Sequence, residues 1–194
     1  MHSFFNKQFD KKVLIILPGE HFISNEDIIL QTLLGSCISV CMYSDYDGLI
    51  GMNHFMLPGK INPEQFHKSD YGRYGMYAMD KLIGEFIQRG IKKENLKTKV
   101  FGGANILNFG RESETISSYN IKFIINYLDR ENIPIISSHL GGNKSRKILF
   151  FSSTKKVFLK EMSGREENKV VMEEIFYKNK IVEKTTKQDI ILFN

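Results

Sequence analysis

The chain has two cysteines in 194 residues, Cys37 and Cys41. So few exclude a disulfide-stapled secreted scaffold. The pair cannot bridge to each other within an extended segment. Four residues apart at roughly 3.3 Å per residue they share a face but stand about 13 Å apart, too far for one S–S link. Long apolar runs are also missing. The first, from Val13 to Leu17, is stopped by Pro18. Residues 1–12 are mostly polar and charged with scattered phenylalanines. Neither a membrane span nor a signal peptide is expected from these segments. The expected compartment is the cytoplasm, where thiols stay reduced. There is no dense Lys/Arg run, no zinc-finger spacing and no interleaving of aromatic and basic residues, which argues against nucleic acid as a partner. His21, His54, His67 and His139 are scattered without a close ligand spacing, so no metal and no other cofactor is expected. Repeats and low-complexity stretches are absent too.

What is present is an ordinary globular composition, 42% hydrophobic and 25% charged, at a length that suits one domain with a small appendage. The net charge of +5 and a pI near 9.1 are mildly basic. Such an excess serves either a solvated surface or a face that docks an acidic protein.

Residues 11–17 (KKVLIIL) read as a strand ended by Pro18-Gly19. Residues 28–34 run into Gly35, a hinge, and residues 36–43 (SCISVCMY) form the next strand. The turn signal DYDG (45–48) leads to a returning strand, LIGMNHFML (49–57). With the turn centred within residues 45–47, facing positions sum to 91 or 92, so Cys37 and His54 are expected directly opposite each other. Their Cβ atoms would then be about 4.5–5.5 Å apart. A loop is expected over 58–71, then a helix over 74–88 with Met76, Met79, Leu82, Ile83, Phe86 and Ile87 at helical spacing. Residues 97–104 read as a strand running into Gly102-Gly103, and residues 117–129 as a second helix. Two strands, 133–140 and 145–152, flank Gly141-Gly142, and 157–160 is a short strand. The composition shifts from Glu161 onward, and residues 170–177 suit a strand or a helix equally.

Three positions could carry chemistry. Cys37 follows Gly35-Ser36, a hinge where backbone N–H groups can converge on an anion, lower a thiol pKa and form an oxyanion hole. A small buried hydrophobe at a strand start is the plainer alternative. His54 is either a satisfied core histidine or the general base for Cys37. Thr32 is either a strand-end hydroxyl or a third group that orients His54 or donates to the oxyanion. Cys41 has no neighbouring base and reads as core. The segment KVFGGA (99–104) lacks the spacing and the Lys-Ser/Thr ending of a phosphate loop and reads as a tight turn beside the site. Gly141-Gly142 with Arg146-Lys147 suits a hairpin turn with a solvated basic pair, or an anion site.

The blocks TLLGSCISVC (32–41) and GMNHFMLP (51–58) resemble the signature of the CheD chemoreceptor glutamine deamidases. Residues 74–82 resemble that family's first helix, KVFGGA its Gly-Gly-Ala block, Asn120 an Asn that opens its second helix, and Gly141-Gly142 with Arg146-Lys147 its late hairpin. The resemblance spans about residues 11–160. It implies an α+β fold, mixed β-sheets packed together with helices on the outer faces, in a deamidase domain over 1–160 and a C-terminal extension over 161–194. It implies hydrolysis of selected glutamine side chains on methyl-accepting chemotaxis receptors to glutamate and ammonia, and association with a CheC-type phosphatase. Carried over, Cys37 is the nucleophile, His54 the base and Thr32 the third member, with Ser36 and Gly35 supporting the oxyanion. The family's Thr can stand six residues before the Cys, where this chain has Gln31, and an acidic residue is commoner near His139 and Ser137-Ser138. The alternatives are a module that docks and tunes the phosphatase, and a thiol hydrolase of another substrate.

Overall fold

The computed structural model describes residues 2–45, 48–57, 70–106 and 115–186. Residues 58–69 of the expected loop, with His67, lie outside them. The described strands form two five-stranded sheets. The first has the order β1 (His2–Asn6), β2 (Lys11–Ile15), β4 (Ile28–Leu34), β9 (Arg146–Phe151), β10 (Val157–Glu161). The second has the order β3 (His21–Ser24), β6 (Ile50–Asn53), β5 (Ile38–Ser44), β7 (Leu96–Gly102), β8 (Ile135–Leu140). Both are mixed: β2 runs parallel to β4 and β7 parallel to β8, while the remaining pairs are antiparallel. Three helices complete the chain, α1 (Asp70–Gln88), α2 (Ile116–Arg130) and α3 (Arg165–Thr186). This is the expected α+β layering.

Period-two alternation sets the layers. Along β5, Ile38, Val40 and Met42 face α1 and α2, where they meet Leu82, Phe86, Phe123 and Leu128. Cys37, Cys41 and Tyr43 face the other way, into the space between the sheets, against Leu30, Leu34, Met52 and Phe150. Each such buried side chain contributes about 1.5–3 kcal/mol relative to exposure. A smaller cluster of Val13, Ile29 and Phe151, with Phe9 against the Phe151 ring, lies on the opposite face of the first sheet. The buried residues are thus arranged sheet on sheet, with α1 and α2 on one outer side.

Several expectations change. Residues 170–177 lie within a helix, α3. The strands β8 and β9 do not form a hairpin: Gly141-Gly142 carries the chain from one sheet to the other. Arg146 is not solvated. It is 1% exposed, and its guanidinium donates to the carbonyls of His139 (2.6 Å) and Gly141. That guanidinium caps the carbonyls of the crossover, which backbone pairing leaves open. The strands β1 and β3 went unrecognised in the sequence. β1 is an edge strand with four of its five residues exposed, so no alternation marks it.

The register between β5 and β6 also differs. Cys41 faces Met52, Met42 faces Gly51, and Ile38 bridges Phe55, so facing positions sum to 93. Ser44 N–H donates to the Leu49 carbonyl, a pair that also sums to 93. Continued outward, this register sets Met56 opposite Cys37 and Ser39 opposite His54. Cys37 and His54 therefore share the inner face as diagonal rather than directly opposed neighbours.

Candidate active site

The peptide of residues 35–37 is held from behind. Ala104 N–H donates to the Gly35 carbonyl (2.6 Å) and Gly103 N–H to the Cys37 carbonyl (2.8 Å). The Asn120 amide donates to the Ser36 carbonyl (2.8 Å). Three consecutive carbonyls are thus pinned on one side. Gly102 and Gly103 make the approach possible, with φ of +118° and +68°. A Cβ on Gly102 would fall 2.0 Å from the Cys37 carbonyl oxygen. KVFGGA is accordingly not a tight turn as a whole: residues 99–102 end β7, and Gly103-Ala104 after it buttress the cysteine loop.

With the carbonyls turned back, the N–H groups of Gly35, Ser36 and Cys37 point forward and converge. They meet the Glu174 carboxylate of α3. One oxygen accepts from Gly35 N–H (2.9 Å) and Cys37 N–H (3.0 Å). The other accepts from Ser36 N–H (2.9 Å) and the Ser36 hydroxyl (2.6 Å). Glu174 is 1% exposed, and these four donors satisfy its buried carboxylate.

His54 is set by three contacts. Its own N–H donates to the Glu20 carbonyl (3.0 Å), and its carbonyl accepts from Gly19 N–H (2.7 Å). Its ring Nδ1 lies 2.8 Å from Thr32 Oγ1. The Thr32 hydroxyl donates its single proton to the Ile16 carbonyl (2.7 Å), so it accepts from His54, and Nδ1 carries the hydrogen. The lone pair is then on Nε2, which is buried and has no hydrogen-bond partner among the described residues. Thr32 and not Gln31 meets the ring, because Thr32 shares the inward face of β4 with Leu30 and Leu34.

Burial pushes the Cys37 thiol well above its ordinary range, and the Glu174 carboxylate beside it adds to the shift by its charge and by accepting the thiol hydrogen. Burial pulls the His54 imidazole down to about 4, against the opposing charge of Glu174. The lowered thiol pKa expected for this loop is therefore not found: the thiol is fully buried, and a carboxylate already fills the amide nest. Thiol and imidazole are both neutral here. A cavity of about 60 Å³, lined by Gly19, His54, Tyr74 and Ala78 among others, lies beside the histidine. The Tyr74 and Tyr177 hydroxyls hydrogen-bond to each other, and Tyr177 packs over Gly19.

Cys37, His54 and Thr32 are all buried, and Gly35 and Ser36 supply nest amides. Cys41 is a free, fully buried core thiol. Two residues were missed as site residues. Asn120 was noted only for its place in the second helix, and its side chain also accepts from Leu57 N–H (2.7 Å). Glu174 left a signal: once residues 165–186 are taken as a helix, Val170, Glu174, Tyr177 and Ile181 fall on one stripe. Of these four it is the one carboxylate, and it is buried, whereas Glu167, one turn before Val170, is only half-buried. Among the described residues no cluster of three or more His, Cys, Asp or Glu side chains could hold a metal ion.

The molecule is a layered α+β protein that buries a cysteine beside an amide nest and a histidine bonded to a threonine. The family model described as CheD chemotactic sensory transduction matches residues 56–161. A protein of Methylobacillus flagellatus named "Probable chemoreceptor glutamine deamidase CheD" is 36% identical over 192 residues, covering 98% of this chain and 94% of that protein. A Janthinobacterium protein of the same name is 36% identical over 191 residues, with 98% and 94% covered. One from Shewanella oneidensis, named "Probable chemoreceptor glutamine deamidase CheD 1", is 33% identical over 192 residues, with 99% and 93% covered. The chain belongs to the CheD family. No described helix is long and apolar enough to cross a membrane.

Proposed function

We propose that this protein hydrolyses the side-chain amide of selected glutamines on methyl-accepting chemotaxis receptors, through a thioester on Cys37. The observation that carries the reading is the convergence of the Gly35, Ser36 and Cys37 N–H groups on a side-chain carboxyl group next to the Cys37 thiol. The names borne by the relatives point to the same reaction.

With a glutamine in the nest, the amide oxygen sits where a Glu174 oxygen sits now. His54 Nε2 takes the Cys37 proton, and the thiolate attacks the amide carbon. A C–S bond forms and the negative charge moves to the oxygen, which the N–H groups stabilise. The C–N bond breaks as the imidazolium returns its proton to the departing ammonia. Water, deprotonated by His54, then attacks the thioester, the C–S bond breaks and glutamate is left. Thr32 keeps the imidazole in the tautomer with its lone pair on Nε2. The cavity beside His54 is large enough to admit water. A mildly basic protein would be drawn toward acidic receptor helices. The cytoplasm is where such a substrate surface and a reduced thiol coexist.

The test is mass spectrometry of a receptor cytoplasmic fragment incubated with the protein and with Cys37→Ala. A gain of about one mass unit at particular glutamines with the unsubstituted protein alone is the expected result. No gain, with a CheC-type phosphatase bound equally by both proteins, would replace this reading with that of a docking module.

A further inference from the structure

The nest is not empty: a glutamate on a helix fills it. The product of the proposed reaction is also a glutamate side chain, and this inference rests on that reading. We propose that α3 is a tethered product analogue, which closes the site by presenting Glu174 to the amide nest in the place of a substrate's glutamine.

The contacts are those of a bound ligand. A helix surface that merely covered a core would present apolar groups, and Val170 and Ile181 do so on the same stripe, 1% and 4% exposed. Between them stands a carboxylate with four matched donors from three consecutive residues. Burying a carboxylate is costly unless it is fully hydrogen-bonded, so its position has a specific partner, the amide nest. The scaffold makes room for it. A Cβ on Gly19 would lie 2.4 Å from the Tyr177 hydroxyl, and one on Gly35 would meet first Ile106 at 2.0 Å and then a Glu174 carboxylate oxygen at 3.0 Å. Tyr177, three residues on, meets Tyr74 of α1 on the far side of the site. α3 thus lies across the site with Glu174 beside the thiol and Tyr177, one turn on, against Gly19 and Tyr74, two residues that line the His54 cavity.

Two properties of the site follow. The neutral thiol belongs to the closed state, since the carboxylate of the same nest adds to burial in opposing a thiolate. Opening requires α3 to leave. A partner helix that offers a glutamine, with an apolar residue four positions before and an aromatic one three positions after, would match the surface that α3 vacates.

The substitution Glu174→Gln turns the analogue into a substrate. Cys37 would attack the carboxamide carbon introduced at position 174, ammonia would leave with a proton from His54, and water would release the acyl group. The net change is carboxamide plus water to carboxylate plus ammonium, all within one chain. Peptide mapping of purified E174Q should find glutamate at position 174, and should find glutamine there in the double variant C37A/E174Q. Independently, Glu174→Ala should raise the iodoacetamide labelling rate of Cys37 on the order of tenfold or more, with Cys41 unchanged as the internal reference. Circular dichroism confirms that each variant is folded. An unchanged Cys37 labelling rate in E174A would overturn the closure. Faster labelling in E174A, with the carboxamide persisting in E174Q, would overturn the product analogy. A receptor fragment left unmodified by the unsubstituted protein and by E174A, while Cys37 labelling responds, would sink the proposed function and leave the closure standing.

Discussion

Thr32 Oγ1 lies 2.8 Å from His54 Nδ1 and gives its own proton to the Ile16 carbonyl, so the threonine acts on the ring as an acceptor. Thr32→Val keeps the shape and removes that acceptor. The Nδ1–H is then left with the Ile16 carbonyl at 3.5 Å, and the ring tautomer is no longer enforced. The expected loss in kcat on a receptor fragment is about 10- to 100-fold, a part of what a positioned general base supplies. Thr32→Ser, which retains the oxygen, should recover most of it. Equal rates for all three proteins would remove Thr32 from the site.

Cys37→Ala should abolish deamidation with the fold intact, and His54→Ala should do nearly the same, because nucleophile and base act as a unit. Full activity in either variant, measured by release of ammonia, would refute the assignment.

The histidine also makes stability depend on pH. Its pKa in the fold is about 4 against an ordinary 6.5, so the unfolded chain binds the proton more readily. The stability it contributes is present above pH 6.5 and is lost as the pH falls from 6.5 toward 4. Between pH 7 and pH 5 this one group should cost about 2 kcal/mol. The carboxylates of Glu174 and Glu20 face the ring and oppose the shift. Urea unfolding of the protein and of His54→Gln at both pH values isolates the effect. An identical pH dependence for the two would contradict it.

Asn120 is fully buried and bonds the Ser36 carbonyl and the Leu57 N–H at once. Asn120→Ala leaves both groups without their partner, at a cost of about 1–3 kcal/mol. The urea midpoint should fall accordingly, and activity should fall further than stability, because the nest loses one of its three rear supports. A variant with unchanged stability and activity would show that the amide is dispensable.

Gly102→Ala places a methyl group 2.0 Å from the Cys37 carbonyl oxygen at a φ of +118°. The strain should cost on the order of 1–3 kcal/mol. It acts on the cysteine loop itself, so iodoacetamide labelling of Cys37 should change together with the thermal midpoint. A silent substitution would mean that the loop shifts freely.

Much was legible in the sequence because it depends on local periodicity and turn chemistry. The alternation in residues 36–43 and 49–57 is enough to set Cys37 and His54 on one inner face, and the slip of two residues, a facing sum of 93 in place of 91, leaves that face unchanged. The glycines at 35, 102 and 103 mark turns by their residue type alone. The apolar spacing in α1 and α2 marks the helices that cover the second sheet. Other features depend on contacts between distant positions. The crossover at Gly141-Gly142 looks like a hairpin until the two flanking strands are seen to join different sheets. The Ser36 carbonyl is held by a side chain 84 residues away, and the Gly35 N–H by one 139 residues away. A period identifies which face a side chain takes but not what stands opposite it. The two closely spaced cysteines, the hinge before Cys37 and the shared face of Cys37 with His54 were therefore decided by the amino-acid order, while the occupant of the amide nest was decided by the packing of α3 against it, and the neutral state of the thiol by its burial first and that carboxylate second.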